Sequence, residues 1–542
     1  MASDMVSTYI QEWTLTAPKY PNPKGPVILA KPRHFDQIVN NPQLGFVLVK
    51  ALYGYGKTYG FGYGMYHEAR KRGTFDVIYI NAREINEKLL ELGGPYSLKA
   101  ELLDIIRMIC GGYFIKTPTQ KSIVNSDEPE YLGIYLTTRI GILNKVCSKD
   151  KLEHYLEELG SKDPVRALRA FYINLAASNN KRVVVIIDEF ERLTSKGGAL
   201  PDPQTLYGWI TKMLDALRPG VIDDMPGRFT LMFLIQETYY PSSLMKDFVS
   251  KSGHPMLGRM LKANDDGSIP VRYDKESFFD YMERIITELI TNKLVPLNNL
   301  NIISALKSSK KVSDLIKDYL TNMPAFVAFS ILNEVIGYAV SSNDITIDDV
   351  ANKFKHELDQ YPIFEIYAGK KTVAKGDYLA NVAAGLLREY YSGRGIEIIP
   401  SRVSMVGFEG AHVTVSNEFR AIIFRLGDVD DSQGYINTFK RLYGNELKNY
   451  CTQQQLKKQT QTNCELRFLF IGDVNVGPAY GVLSRLNMID GVRVNFRLKP
   501  VEITYDDLFV LLVSYNNDIS VPIGYLSYVN QRKTEVIHKI FT

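Results

Sequence analysis

Four short runs of unbroken apolar residues punctuate the first half of the chain, at 46–49, 77–80, 183–187 and 230–235. A strand with one wet face alternates apolar and polar positions. Uninterrupted β-branched runs instead predict strands covered on both faces, as in a parallel sheet. Segments with helical spacing lie between them, so residues 27–268 read as an α/β core. Residues 93–180 are helical in pattern, with breaks at Gly93-Gly94, Gly111-Gly112 and Asp163-Pro164. They predict a helical insertion. Residues 269–358 read as helices: Tyr281, Ile285, Leu289 and Ile290 share one face, and Phe326, Phe329, Leu332, Ile336 and Ala339 another.

Residues 1–26, rich in Pro, Tyr and Thr, read as an extended arm. Beyond Tyr361-Pro362 the pattern turns to mixed α/β, a further domain over 359–542. It predicts a helix at 377–391, strands near 403–408, 412–415 and 420–426, and a helix at 435–443. A strand at 467–471, a helix at 480–488 and a strand at 492–498 follow. The polar stretch 449–463 predicts an exposed loop.

With 542 residues the chain is too long for one core and predicts two to four domains. Its 45% hydrophobic and 23% charged residues are ordinary for a globular protein. The net charge of +4 permits nucleic-acid or membrane contact and argues for neither. Cys110, Cys147, Cys451 and Cys464 are scattered without a CxxC pair, which argues against a metal or disulfide framework and for a reducing compartment. No export signal opens the chain, and its longest apolar stretch, 326–340, is short and carries Asn333 and Glu334. The expectation is a soluble, cytoplasmic protein without membrane contact.

The chemistry lies in two segments. Residues 46–58 read FVLVKALYGYGKT: a strand, a glycine-containing loop, then Gly-Lys-Thr opening a helix. Phosphates bind such a loop, where backbone N–H groups converge beside a helix N-terminus. Gly54, Tyr55, Gly56, Lys57, Thr58 and Tyr59 would cradle the phosphates of ATP, with Lys57 reaching the β- and γ-phosphates and Thr58 ligating Mg²⁺. Ala51 stands where such loops begin with glycine. The second segment, VVVIIDE over 183–189, is a strand ending in two carboxylates. Asp188 would hold Mg²⁺ and Glu189 would act as general base on the attacking water.

Together these segments resemble the AAA+ ATPases, and most of all the origin-recognition initiator clade and related archaeal ATPases. The likeness covers roughly residues 27–357. It is carried also by Lys31-Pro32-Arg33 with Phe35 and Ile38, by Tyr79-Ile80-Asn81 and by the acidic run 188–193. Leu257-Gly258-Arg259-Met260, Asn322-Met323-Pro324 and the segment 344–350 extend it. The resemblance implies an AAA+ parallel-sheet core with a helical lid, working as a homo-oligomer with shared ATP sites. Arg259 would be a finger reaching the neighbour's γ-phosphate, or else a surface arginine. Thr238, or alternatively Gln236, would orient the attacking water, and Asn81 would switch Glu189 or simply end a strand. Ala325 and Phe326 occupy the place of the clade's lid arginine, and no winged-helix pattern follows.

The C-terminal order is similar to restriction-endonuclease-like domains. Yet the third strand, FRAIIFRL, holds no carboxylate, and Glu418 just before it forms Glu-x-Arg where such nucleases need Glu-x-Lys. A degenerate nuclease-like platform and an unrelated dimerisation domain both fit. The leading expectation is an oligomeric ATPase acting on DNA, in replication initiation, segregation or mobile-element maintenance. The alternatives are a signalling or defence NTPase switch on a protein partner, reached through the C-terminal domain, and an ATP-linked nuclease.

Overall fold

The computed structural model describes residues 30–541 apart from 84, 87–88, 90–98, 100, 117–134, 139–140, 179, 195–201, 219–228, 297–299, 342–344, 360–362, 364–377, 406–407, 416–417, 426–462, 472–487, 490–491, 494–495, 518, 520 and 522. The anticipated arm at 1–26, the helix at 435–443, that at 480–488 apart from Met488, and most of the polar loop lie outside the described residues. Met488 falls instead in a two-residue strand paired antiparallel with Val492–Arg493. The chain divides into two compact units between Glu357 and Leu358.

The first unit is α/β. Its strands are β1 (Phe46–Ala51), β2 (Phe75–Asn81), β3 (Tyr135–Thr137), β4 (Arg182–Asp188), β5 (Phe229–Gln236) and β6 (Ser268–Pro270). They form one sheet in the order β3-β2-β4-β5-β1-β6. Every neighbouring pair is parallel except β2 with β3. All residues of β2, β4 and β5 are buried, which is why their sequences run apolar without alternation.

Helices cover the sheet, and local sequence sets where they start. In α1 (Gly64–Arg72) the α-helical turns continue a wider π-helical stretch, Lys57–Tyr63. The insertion contributes α2 (Asp104–Lys116), α3 (Gly141–Val146) and α4 (Pro164–Ala177). The Asp163 side chain caps α4, accepting the N–H groups of Val165 and Arg166, with proline at the first helical position. Asp202 and Pro203 repeat the device at α5 (Pro203–Ala216).

Two sequence-based boundaries shift. The insertion is not wholly helical, because β3 pairs antiparallel with β2 at the sheet edge. Three residues are too few to show a period, and their pairing partner lies far along the chain. β6, read as the start of the lid, pairs with β1 and belongs to the sheet. The cysteine reading is also corrected: Cys110 on α2 and Cys147 just after α3 form a disulfide, both fully buried, with Cα atoms 5.2 Å apart. Their 37-residue separation hid a contact that packing of the insertion creates.

The segment expected as a lid carries α6 (Lys275–Thr291), α7 (Leu300–Ser308), α8 (Lys310–Asp318) and α9 (Ala325–Ala339). Asp274 caps α6 by accepting the Ser277 N–H. The two apolar faces read from periodicity meet at Phe329, whose ring lies 4.6 Å from that of Tyr281 and 5.5 Å from that of Phe278. Inside this contact the Tyr281 hydroxyl donates to Asn333 Oδ1 at 2.9 Å.

The second unit holds β7 (Ser401–Met405), β8 (Phe408–Val415), β9 (Glu418–Arg425), β10 (Asn463–Ile471) and β11 (Phe496–Ile503), adjacent in chain order. β7, β8 and β9 are antiparallel, and β9, β10 and β11 parallel. The helix α10 (Tyr378–Ser392) precedes them. Two further helices, α11 (Tyr505–Tyr515) and α12 (Ile523–Phe541), were not anticipated. A capping box between Thr504 and Asp507 opens α11. Buried Arg532 on α12 donates to Asp507 at 3.0 Å, tying the two helices by a charge pair shielded from water. Among the described residues no helix is long and apolar enough to cross a membrane.

Candidate functional site

Because β1, β4 and β5 run parallel and β5 lies between the other two, the ends of β1 and β4 face the same edge of the sheet. Ligands of open α/β sheets bind at that carboxyl edge. Register aligns the ends closely: Ala51 sits opposite Gln236, Leu234 opposite Asp188, and Asp188 opposite Asn81.

The loop after β1 is built on Gly54 and Gly56, with φ of 79° and 87°. Residues with a Cβ adopt that region reluctantly. At Gly56 space forbids one as well: a Cβ would lie 2.8 Å from the Tyr273 hydroxyl. Lys57 turns its ammonium back onto the loop, donating to the carbonyls of Ala51 at 2.8 Å and Leu52 at 3.3 Å. Burial pushes its pKa down, while the charges of Glu191, Asp188, Glu189 and Glu237 push it up. Four carboxylates therefore gather around one lysine.

Asp188 is the focus of the site. Its carboxylate is fully buried. The Thr58 hydroxyl donates to Oδ2, and the Tyr79 hydroxyl donates to the same oxygen at 2.9 Å. The Glu189 N–H donates to Oδ1 at 2.9 Å. Burial pushes the Asp188 pKa up; the hydrogen bond from Thr58, the charge of Lys57 and the bond from Tyr79 oppose it by favouring the carboxylate.

Compared with family models and with curated proteins, the chain matches none.

Glu189 follows in the left-handed region, φ 52°, where a residue with a side chain is uncommon. Its carboxyl is pushed up by burial first and by Asp188 second. Asn81, buried, ends β2 beside Asp188. Gln236 is the last residue of β5 and buried, whereas Thr238 falls in the short turn after it, so the strand end belongs to Gln236. Tyr55 is pushed up by burial and by Glu237, and buried Tyr59 packs its ring 6.3 Å from that of Phe329.

Arg259 is not part of this constellation. Its carbonyl accepts the Gly45 N–H at 3.0 Å, at the far end of β1, about 20 Å from the loop by strand rise. From there it has no route to its own chain's Lys57.

Two residues escaped the sequence reading. Tyr79 lies inside a buried strand and looks like core; only the fold aims its hydroxyl at Asp188. Glu191, buried in the turn Phe190–Thr194, accepts the Gln236 N–H at 3.3 Å. Burial, and then Glu189, push its carboxyl up to about 7. Its sequence signal was the acidic run itself.

Among the described residues no group of three or more His, Cys, Asp or Glu is placed to hold a metal alone. Thr58 and Asp188 do suit one type of ion. A hydroxyl and a carboxylate are hard oxygen donors, and Mg²⁺ typically takes one or two protein oxygens beside phosphate and water. In the second unit Glu418 opens β9 rather than preceding it, and pairs with Arg420.

Proposed function

We propose that the chain is a P-loop ATPase of the AAA+ kind, hydrolysing ATP to ADP and phosphate. The observation that carries this reading is the hydrogen bond from Thr58 to Asp188. Two segments 130 positions apart meet at one oxygen, at the edge where such sheets take ligands. In the reading, Lys57 leaves the Ala51 and Leu52 carbonyls to neutralise phosphate charge. Thr58 and Asp188 would hold Mg²⁺, which when bound would neutralise phosphate charge. Glu189 takes the proton of the attacking water, with Gln236 or Thr238 orienting it and Asn81 restraining Glu189. Tyr79 keeps the Asp188 carboxylate aimed at the loop.

Arg259, remote from its own site, belongs in this reading to a neighbour's, which makes the active form a homo-oligomer. DNA as the partner rests on the resemblance to initiator ATPases, and the paired Glu418 offers nothing to nuclease chemistry. The test is ATPase rate and oligomeric mass with and without duplex DNA. Glu189→Gln should retain nucleotide and lose turnover by 100-fold or more, on the order of a lost general base. Lys57→Ala should lose binding. Wild-type turnover in Glu189→Gln would sink the assignment. Nucleotide-driven assembly without DNA affinity would redirect the function to a protein partner.

A further inference from the structure

The lid touches the phosphate loop through its backbone. At the start of α9 the Phe326 N–H donates to the Gly54 carbonyl at 2.9 Å. Beside it, a Cβ on Gly56 would lie 3.3 Å from that of Ala325. Phe326 is the second residue of α9, one of the opening amides for which the helix has no acceptor of its own. The next two, those of Val327 and Ala328, turn back to the Pro324 carbonyl at 3.0 Å. The Phe326 amide alone among these three reaches out to the loop.

That bond constrains more than one atom. The described residues contain no cis peptide, and in a trans peptide the carbonyl and the following N–H point in opposite directions. Holding the Gly54 carbonyl toward α9 therefore aims the Tyr55 N–H away from it. A loop with two glycines would otherwise rotate this peptide plane easily. Preorganised N–H groups are what an anion-binding loop requires. We infer that the Phe326 N–H to Gly54 carbonyl bond is a latch by which the lid presets the loop to receive phosphates. The inference rests on the nucleotide reading.

Two substitutions in the full chain separate the donor from the ring. Phe326→Pro deletes the N–H at a first-turn position where proline is tolerated, and Phe326→Ala removes the ring but keeps the donor. Binding of a fluorescent ATP analogue with Mg²⁺ should be roughly five- to tenfold weaker in Phe326→Pro than in Phe326→Ala, the scale of one hydrogen bond. Reciprocity gives a measurement on the wild type that needs no variant: exchange of the Phe326 amide should slow several-fold when nucleotide is added. Equal affinity of the two folded variants overturns the latch while leaving the nucleotide site intact. So does unchanged exchange at Phe326 in nucleotide-bound wild type, which decides the matter if Phe326→Pro fails to fold. If the folded wild type binds no nucleotide, the ATPase reading fails and the latch with it.

Discussion

Three donors converge on the Asp188 carboxylate, and the least replaceable of them is Tyr79. Thr58 lies half-buried on the loop after β1, whereas the Tyr79 ring is fully buried and its hydroxyl donates to Asp188 Oδ2. Deleting it leaves a buried carboxylate one hydrogen bond short. Tyr79→Phe keeps the ring and should lower unfolding free energy by about 1.5–3 kcal/mol, the range for a bond to a charged group. Denaturant titration of the nucleotide-free protein checks this, and an unchanged midpoint would show that the hydroxyl does not bond the carboxylate. Lys57, Thr58, Asp188 and Glu189 were legible as residues because each sits at a fixed offset from a strand end. Tyr79 was not. A tyrosine inside an apolar run has the same sequence signal whether its hydroxyl meets a carboxylate or a backbone carbonyl.

At the scale of elements, unbroken apolar runs located β1, β2, β4 and β5 to within a few residues, because burial on both faces leaves a mark that needs no partner to be read. β3 and β6 left no such mark. Each is three residues long and is a strand only because a neighbour offers it hydrogen bonds. The insertion shows the same limit, since its disulfide joins segments with no patterned relation. Cross-linking across 37 positions restricts the unfolded chain, and the loop-entropy relation gives about 4 kcal/mol for that length. Cys110→Ser with Cys147→Ser should therefore lower the thermal unfolding midpoint, and reductant should lower the wild-type midpoint toward the same value. No response of the wild type to reductant, with its thiols shown to be free, would mean that the bridge does not support the fold.

For the molecule as a whole, the division after Glu357 leaves every residue of the candidate site, from Ala51 to Phe326, in the first unit. A fragment of residues 1–357 should fold by itself and bind Mg²⁺-ATP within about threefold of the full chain. Calorimetry on both would check it; loss of binding in a folded fragment would mean that the second unit contributes to the site.

Chain order alone determined the class of the first unit, its glycine-containing loop after β1 and its acidic strand end, since periodicity and residue offsets are local properties. It also gave no sign that Tyr79 belongs to the site, and it named Arg259 only as a finger for a neighbouring subunit or a surface arginine. Tertiary structure brought Tyr79 in. Strand order 2-4-5-1 set β5 between β1 and β4, so that Thr58 and Asp188 share a hydrogen bond, Tyr79 faces them from β2 and Arg259 falls at the opposite end of β1. Which strands become neighbours depends on how the buried faces pack, and no window of sequence contains that free energy.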